Sequence, residues 1–556
     1  MSQANIENKK RKVGELAEEV SCPYLDTIQR SFLDFDHEHS CSVSLQGGMH
    51  IYGCLVCGKF FRGRGKATPA YTHSVEESHF VFVHLTKGTF HCLPDDYEIK
   101  DPSVSDIRAA LHPTFNISDI HQVDSNTNLS RDLFGRKYLP GFVGLNNHNK
   151  TDCINAVVQA LTHVAPIRDY FLSIKHDASQ TEEWTASQKA GKKKNHTTNR
   201  SAIQVTEAFG ELVRKMWSKE RFKSTVDPHI LVQSIIVASK KRFRVGVQAE
   251  AGELIAWLLH QLHVGTKRFG SSIVHKTFQG SVRVTVKEAR KIDAQPNVEE
   301  DDDRVGSGDE EDVHAGAKDS KDAHKKVVIE ETTKDTNFLQ LTLDIPEKPL
   351  FRDDAGGLVI PQEPMVNVLK KFDGKTLTDS VSRSGSTQRK RYSLLKLSDY
   401  LILHLDRFKS NNYSREKNPT IVAFPVKNLD LHEYVFGGER PVLPTEEQIR
   451  SMSVKEIKDA LRSFGKEDIY KGAMEKDELV EATINFLCRE LPDLLADKYD
   501  LVANITHQSP ADVGREEKVD PLQEGSYKCH VQHSATRQWY EIQDLHVQEI
   551  MPQQIG

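Results

Sequence analysis

Two cysteines and two histidines near the N-terminus have the residue types of a metal site. Cys54 and Cys57 are two residues apart, so one tight turn can direct both thiolates at one ion. His73 and His79 follow, and their imidazoles would complete a tetrahedron, although their spacing is wider than in common zinc fingers. Free cysteines beside surface histidines are the alternative. We predict one structural zinc ion, held by all four side chains with no coordination position left open for catalysis.

The remaining cysteines do not suggest a disulfide framework. The chain has eight cysteines, five of them in the first hundred residues and the others scattered. This distribution is typical of an intracellular protein with one metal site. Cys22, Cys41 and Cys92 are predicted to be small core residues rather than ligands.

Composition narrows the class of protein but names no partner. The chain has 556 residues, of which 38% are hydrophobic and 28% charged, and a formal net charge of −6. This length predicts two or more domains. The N-terminus is polar and has no secretory signal, and no apolar run approaches the roughly 20 residues that cross a bilayer, so we expect no membrane partner. The basic run Lys9–Lys12 predicts nuclear import, with a solvated tail as the alternative.

Shifts in composition divide the chain. The predicted segments are a disordered basic tail at 1–20, a zinc-binding domain at 21–101, a polar linker at 102–137 and a long domain at 138–556. Within the last, residues 291–336 are strongly acidic and predict a disordered insertion, and residues 440–497 predict a helical insertion. The helical insertion faintly resembles a SAP-type nucleic-acid module, but its charges are mixed and a helical ornament is favoured.

Helical patterns come first in the long domain and strand patterns follow. Helices are predicted after Asp152, over Val205–Trp217 and over Glu250–His263. From about Val274 the pattern becomes strand-like, and the later predicted strands are Phe338–Ile345, Tyr400–Leu405, Tyr527–His533 and Trp539–Ile542. This order favours an α+β fold.

Several motifs in the same order resemble the ubiquitin-specific proteases. Residues 144–159 resemble the family's cysteine box, Leu401–Phe408 its central strand, and Gly525–Tyr527 with Trp539–Asp544 its histidine box. Residues 52–85 resemble the zinc finger of the same family, without the additional ligands that bind further zinc ions. The resemblance implies a small zinc-binding α/β domain followed by a papain-like ubiquitin-specific-protease fold with insertions. It also implies metal-free fingers, since no cysteine pair lies between residues 265 and 400, and leaves completion of the last strand open.

The resemblance also places a degenerate catalytic triad. Asp152 stands at the nucleophile position, Ser526 at the general-base position and Gln543 at the orienting position, while Asn147 keeps the oxyanion-donor position. A carboxylate cannot form the thioester intermediate that a cysteine isopeptidase needs. We therefore predict that the protein is not an enzyme. The alternative is a deubiquitinating isopeptidase that uses the displaced nucleophile Cys153.

One subfamily combines this zinc finger with a protease domain that lacks the triad. The segments Cys22–Ile28, Lys417–Val422 and Trp539–Leu545 resemble the ubiquitin-specific-protease-like proteins of the spliceosomal tri-snRNP. The resemblance implies a noncatalytic nuclear splicing factor that stabilises the tri-snRNP through contacts with its proteins. The sequence leaves open which spliceosomal proteins are contacted, whether ubiquitin is bound and whether RNA is contacted directly.

Overall fold

The computed structural model describes most of the chain in two units. The described residues are 22–174, 196–267, 272–293, 325–346, 351–352, 358–381, 387–410, 415–435, 443–463, 466, 469, 475–490, 498–509 and 520–555. The first unit comprises Met1–Phe278, Arg407–Pro419 and Leu501–Gly556, and the second comprises Gln279–Asp406 and Thr420–Asp500. The predicted tail at 1–20 lies outside the described residues. No helix in the described ranges is both long and apolar enough to span a bilayer.

The N-terminal domain is a five-stranded antiparallel sheet with one helix. The strands are β1 (Ile51–Cys54), β2 (Phe60–Arg62), β3 (Val81–His84), β4 (Phe90–Cys92) and β5 (Tyr97–Ile99), in the order β2-β1-β3-β4-β5. Helix α1 (Pro69–Glu76) lies between β2 and β3. Cys22, Cys41 and Cys92 are buried in the apolar cluster of this domain, which confirms them as core residues.

The segment predicted as a linker contains two short helices, α2 (Ser105–Leu111) and α3 (Ile117–Gln122). Val104, Ile107 and Leu111 are each at most 1% exposed and pack into the apolar cluster of the N-terminal domain. Their spacing of three to four residues puts all three on one helical face. The first part of this segment therefore completes the core of the preceding domain. The short strands β6 (Ser130–Arg131) and β7 (Lys137–Tyr138) pair beyond it.

Six helices follow in the part of the chain that the structure describes, and the first is almost entirely buried. They are α4 (Asp152–Thr162), α5 (Ala165–Ser173), α6 (His196–Trp217), α7 (His229–Ala238), α8 (Ala251–Thr266) and α9 (Ile273–Phe278). The three predicted helices are confirmed as α4, α6 and α8. The strand predicted from about Val274 was wrong in its first residues, because Val274, Thr277 and Phe278 bury one face of α9. The strand begins at Gly280.

A buried ion pair ties helix α6 to the N-terminal domain. Lys215 Nζ lies 3.1 Å from an Asp36 carboxylate oxygen and 3.0 Å from Glu211 Oε1, and it donates to Phe35 O at 2.8 Å. The Lys215 side chain is 8% exposed. Burial alone would raise the pKa of Glu211, but the adjacent Lys215 ammonium lowers it to about 2. Glu211 therefore remains charged beside the ammonium group.

The second unit is built mainly from strands. They are β8 (Gly280–Asp293), β9 (Lys325–Phe338), β10 (Leu341–Asp344), β11 (Phe351–Arg352), β12 (Leu358–Val359), β13 (Gln362–Pro364), β14 (Thr378–Val381), β15 (Thr387–Lys396), β16 (Leu403–Asp406), β19 (Ile421–Ala423), β20 (Leu429–Asp430) and β21 (Lys498–Tyr499). Strands β17 (Phe408–Ser410) and β18 (Arg415–Lys417) come between β16 and β19 in the sequence but belong to the first unit. Helix α10 (Met365–Leu369) packs among them. Strands β14, β15, β8 and β9 form one sheet in that order.

The disordered insertion predicted at 291–336 is too wide at both ends. Strands β8 and β9 pair continuously from Gly280 opposite Phe338 to Asp293 opposite Lys325. Residues 291–293 and 325–336 therefore belong to an ordered ladder, because backbone pairing extends a hairpin even where its side chains are charged. Residues 294–324 lie outside the described residues. The described part of 440–497 is helical as predicted, with α11 (Glu446–Ser451), α12 (Val454–Ser463) and α13 (Lys476–Ile484) around their own apolar cluster.

The last sheet closes the first unit. Strands β22 (Ala503–Gln508), β23 (Ser526–Gln532), β24 (Trp539–Gln543) and β25 (His546–Ile550) form an antiparallel meander, with the short helix α14 (Pro521–Glu524) before β23. Helix α4 packs against β23. Strand β25 pairs with β24 along five residues, so the last strand is present. Helices before strands confirm the predicted α+β fold, and this packing brings the start of α4 to the first residues of β23.

Candidate functional site

The structure brings the four predicted zinc ligands together. Cys54 ends β1, Cys57 lies in the following turn, His73 is on α1 and His79 lies between α1 and β3. One ligand atom from each lies within 4.8 Å of all the others. Cys57 Sγ is 3.4 Å from His73 Nε2, which is 3.1 Å from His79 Nδ1. Tetrahedral zinc bonds of about 2.1 Å to nitrogen and 2.3 Å to sulfur separate ligand atoms by about 3.4–3.8 Å, so small side-chain shifts would bring all four atoms to zinc-binding distances.

Packing and backbone geometry fix this cluster in place. The Phe61 ring stacks on His73 with centroids 4.1 Å apart. Gly58 closes the cysteine turn with a φ of 75°, and a Cβ atom there would lie 2.2 Å from Phe32 O. Hydrogen bonding between the two thiols lowers the pKa of Cys57 and raises the pKa of Cys54, because the pair shares a proton when no metal is bound. Among the described residues, this is the one group of His, Cys, Asp and Glu with metal-ligand geometry.

Asp152 is the first residue of α4, and both oxygens of its carboxylate accept hydrogen bonds. The residue is 3% exposed. Its Oδ2 accepts a hydrogen bond of 2.6 Å from the backbone N–H of Tyr527. Gln248 Nε2 donates to both carboxylate oxygens, at 2.8 and 3.0 Å. The helix N-terminus adds a favourable dipole. Asp152 is thus a structural carboxylate that joins α4 to β23 and to the start of α8.

A second glutamine holds Gln248 in position. Gln523 Oε1 accepts from the backbone N–H of Gln248 at 2.9 Å, and Gln523 Nε2 donates to the carbonyl oxygen of Gln248 at 3.0 Å. Gln248 Nε2 also donates to Gly525 O at 3.2 Å. Sequence reasoning missed Gln523, because a lone glutamine in a polar segment carries no local signal. The network fixes the side chains around Asp152 in one arrangement.

Ser526 and Gln543 lie next to each other at one end of the last sheet. Gln543 Nε2 donates to Ser526 Oγ at 3.2 Å. The two positions at which the resemblance places a base and its orienting group are therefore in contact, as an amide–hydroxyl pair. The Asp152 carboxylate accepts its hydrogen bonds from other residues, the Tyr527 N–H and the Gln248 amide.

The Asn147 side chain forms hydrogen bonds with two other residues of the protein. Its Nδ2 donates to Asp544 Oδ2 at 2.9 Å, and its Oδ1 accepts from the Thr151 backbone N–H at 3.0 Å. Asn155 Nδ2 donates to the other oxygen of Asp544 at 2.8 Å. Burial raises the pKa of Asp544 above its usual range. The amide group predicted as an oxyanion donor is engaged by a carboxylate, an interaction that the sequence pattern did not reveal.

Cys153 is buried and lies outside any cysteine–histidine pair that the structure describes. It is 1% exposed, and burial beside the charged Asp152 raises the pKa of its thiol well above the usual range. The histidines that could serve it have other hydrogen-bond partners. His507 bonds to Lys417, His530 to Glu541 and His533 to the carbonyl oxygen of Asn126. Burial lowers the pKa of His507 to about 4.

Comparison with known proteins shows the family. The family model described as ubiquitin carboxyl-terminal hydrolase matches residues 143–555, and the model described as Zn-finger in ubiquitin-hydrolases and other protein matches residues 39–104. The first match covers most of the chain. The protein therefore belongs to the ubiquitin carboxyl-terminal hydrolase family and carries its zinc-finger domain.

Two relatives and one solved structure are similar over nearly the whole chain. Ubiquitin carboxyl-terminal hydrolase 39 of Mus musculus is 37% identical over 96% of this chain and 78% of its own length. The probable mRNA-splicing protein ubp10 of Schizosaccharomyces pombe is 32% identical over 95% of this chain and 84% of its own. The crystal structure of an essential yeast splicing factor matches with a TM-score of 0.58 at 20% identity, covering 95% of each chain, which supports the fold. The predicted resemblance to splicing-related members of the family is confirmed.

Proposed function

We propose that this protein is a noncatalytic pre-mRNA splicing factor that acts in the nucleus. It serves as a scaffold that stabilises the tri-snRNP and supports spliceosome assembly through protein–protein contacts. Its similarity along nearly the full chain to a probable mRNA-splicing protein supports this role. The basic run Lys9–Lys12 is consistent with nuclear import.

The observation that carries the noncatalytic part is the buried Asp152 carboxylate. It stands at the start of α4, where the resemblance places a nucleophilic sulfur. Isopeptide cleavage by this family's chemistry needs a thiolate that attacks a carbonyl carbon and forms a thioester. A carboxylate that accepts hydrogen bonds from the Gln248 amide and the Tyr527 N–H is a poor nucleophile, and it has no sulfur to give that intermediate. Its role is to hold three segments of the domain together.

The neighbouring positions supply no replacement chemistry. A serine hydroxyl such as Ser526 is not a base near neutral pH, and the Gln543 amide cannot stabilise a charged imidazolium as a carboxylate does. Asn147 donates one of its amide hydrogens to Asp544. These groups bond to one another and include no imidazole, so they are suited to a stable structure and not to proton transfer.

The zinc finger contributes structure rather than reactivity. Cys54, Cys57, His73 and His79 would hold one zinc ion with four protein ligands, which is the closed coordination of a structural site. Bound zinc would join the end of β1 to helix α1. The finger is then a second rigid surface for partner proteins.

The competing enzymatic function can be tested with a ubiquitin C-terminal electrophile. The purified full chain, its Cys153→Ser variant and an active ubiquitin-specific protease are each incubated with ubiquitin propargylamide, and adducts are detected by mass spectrometry. We expect an adduct on the active protease and none on this chain. A covalent adduct that is lost in Cys153→Ser would establish the displaced-nucleophile isopeptidase instead.

The scaffold function can be tested by affinity purification from nuclear extract. We expect the tagged full chain to recover U4, U5 and U6 small nuclear RNAs with their proteins, while a tag-only control recovers none. Recovery should persist in Cys153→Ser, because a scaffold needs no thiol. A preparation that recovers ubiquitin conjugates without small nuclear RNAs would contradict the proposal.

A further inference from the structure

A short exposed loop carries four cations within five positions. This basic loop, residues 239–247, connects the end of α7 to the segment before α8. The exposed cations are Lys240, Lys241, Arg242 and Arg244. Phe243 lies among them but is only 3% exposed, because its ring packs on Trp257 with centroids 5.4 Å apart. The buried ring anchors the loop, so the loop presents positive charge without an exposed aromatic side chain.

Most of this charge is not neutralised within the described part of the chain. Arg242 pairs with Glu253 at 2.7 Å. No acidic side chain among the described residues forms an ion pair with Lys240, Lys241 or Arg244. The chain as a whole has a formal net charge of −6. The basic loop is therefore a local positive region on a protein that is acidic overall.

The backbone conformation at Lys240 and Lys241 favours glycine, so we infer that the lysines are retained for their side chains. Lys240 has a φ of 53° and Lys241 a φ of 65°, both in the left-handed region. The Lys241 N–H bonds to Ile236 O at 2.9 Å and closes the C-terminus of α7. Glycine serves this position without steric cost and is the usual residue there. Lysine also offsets the helix dipole, but Arg244 lies beyond the last turn of α7 and has no such role.

A fifth cation lies on a turn that is bonded to the basic loop. The Gly246 N–H donates to Asn149 O at 2.9 Å, which holds residues 149 and 150 beside the loop. Lys150 is exposed and, like Lys240, adopts a left-handed φ, of 57°. Its Nζ donates to the carbonyl oxygen of Gln523 and has no acidic partner among the described residues. The positive region therefore extends from the basic loop onto this turn.

We propose that the basic loop, together with Lys150, binds the phosphate backbone of single-stranded RNA. Unneutralised, exposed lysine and arginine side chains complement phosphate charge, and this attraction is independent of sequence. Because the one aromatic ring of the loop is buried, base stacking does not contribute from it. An acidic protein segment is the weaker candidate, since protein interfaces are depleted in lysine and their strongest anchors are aromatic, whereas the ring of Phe243 is buried.

The test measures how salt affects RNA binding by the purified full chain. The probe is fluorescein-labelled oligouridine of twelve nucleotides, followed by fluorescence anisotropy over a series of KCl concentrations. Each phosphate contact contributes about 0.7 to the slope of log K against log salt for single strands. The variant Lys240→Gly/Lys241→Gly should therefore bind more weakly, with a slope lower by about 1.4. Its melting temperature should not fall, because glycine relieves the left-handed backbone at both positions.

A matched control is available in the same unit. Arg537 is also an exposed cation with a left-handed φ, of 58°, in the turn between β23 and β24. The Arg537→Gly variant removes one charge in the same backbone conformation and should leave the slope unchanged. An unchanged slope in the Lys240→Gly/Lys241→Gly variant, or no RNA binding by the parent chain at 50 mM KCl, would overturn the proposal.

A second probe separates RNA from an acidic protein segment. Labelled polyglutamate of twelve residues is titrated under the same conditions. Tighter binding of this peptide than of the RNA at equal salt would assign the loop to a protein partner and overturn the RNA proposal. The measurement uses purified components, so it stands or fails independently of the proposed role in splicing.

Discussion

The zinc cluster and the Asp152 network differ in where their polar atoms point. In the zinc cluster, two sulfurs and two imidazole nitrogens, all of them metal-ligand atoms, converge within 4.8 Å of one another. In the Asp152 network, both carboxylate oxygens accept from the Gln248 amide, and one also accepts from the Tyr527 N–H. The first arrangement suits a cation, whereas the second supplies hydrogen bonds to a buried carboxylate without one.

The two sites show two ways in which polar groups can serve the structure without taking part in a reaction. In the N-terminal domain, two thiolates this close would repel one another without an ion, so zinc binding would be coupled to folding. At the start of α4, the Asp152 carboxylate accepts its hydrogen bonds from groups of the protein itself and is held as part of the structure.

The largest expected effect is at the zinc cluster. Cys54→Ser replaces a fully buried ligand and should abolish zinc binding, with a loss of about 5 kcal/mol or more in the stability of the N-terminal domain. Elemental analysis and thermal unfolding would measure the two losses. Cys41→Ser, at an equally buried cysteine outside the cluster, should keep the zinc content of the parent. Equal zinc in Cys54→Ser and the parent would remove the distinction drawn above.

The second effect concerns the link between the two domains of the first unit. Lys215→Met removes a buried ammonium and leaves the Asp36 and Glu211 carboxylates without their cation, which should cost about 3 kcal/mol. Urea unfolding followed by tryptophan fluorescence would measure it. The exposed pair Arg242–Glu253 provides the control, since Arg242→Met should change stability by less than about 1 kcal/mol. Similar losses in both variants would show that the Lys215 ion pair is not a specific link.

Substitutions at Asp152 should have an intermediate effect on stability. Two of them separate the contribution of its charge from that of its shape. Asp152→Ala leaves the Tyr527 N–H and the Gln248 amide without their acceptor and should destabilise the protein by about 2–3 kcal/mol. Asp152→Asn keeps one acceptor oxygen and should lose less, about 1 kcal/mol. Chemical denaturation of both variants gives the comparison. If Asp152→Ala were as stable as the parent, the carboxylate would not be structural.

The smallest effect should be at the remaining positions of the degenerate triad. Ser526→Ala removes a half-buried hydrogen bond of 3.2 Å to Gln543 and should cost less than about 1 kcal/mol. Recovery of small nuclear RNAs from nuclear extract should not change. Loss of that recovery in a folded Ser526→Ala protein would mean that this position touches a partner and is more than a remnant.

The sequence was most informative where chemistry fixes residue type. Cys54 and Cys57 were recognisable because their spacing fits one turn, and Asp152 because the motif around it resembles the family's cysteine box. The contacts of Asp152 were not predictable, because Gln248 and Tyr527 are distant in sequence and a glutamine or a backbone N–H carries no pattern. The Lys215–Asp36 pair was missed for the same reason. Strand boundaries also failed where backbone pairing, as in β8 and β9, outweighs charged side chains.

The hydrogen bonds around Asp152 make a change at this position costly during evolution. A single change of Asp152 to cysteine would remove the acceptor for the Tyr527 N–H and the Gln248 amide. Position 526 would still carry a hydroxyl that bonds to Gln543. The mutant would be less stable before it gained any new chemistry, so selection for stability alone favours the aspartate.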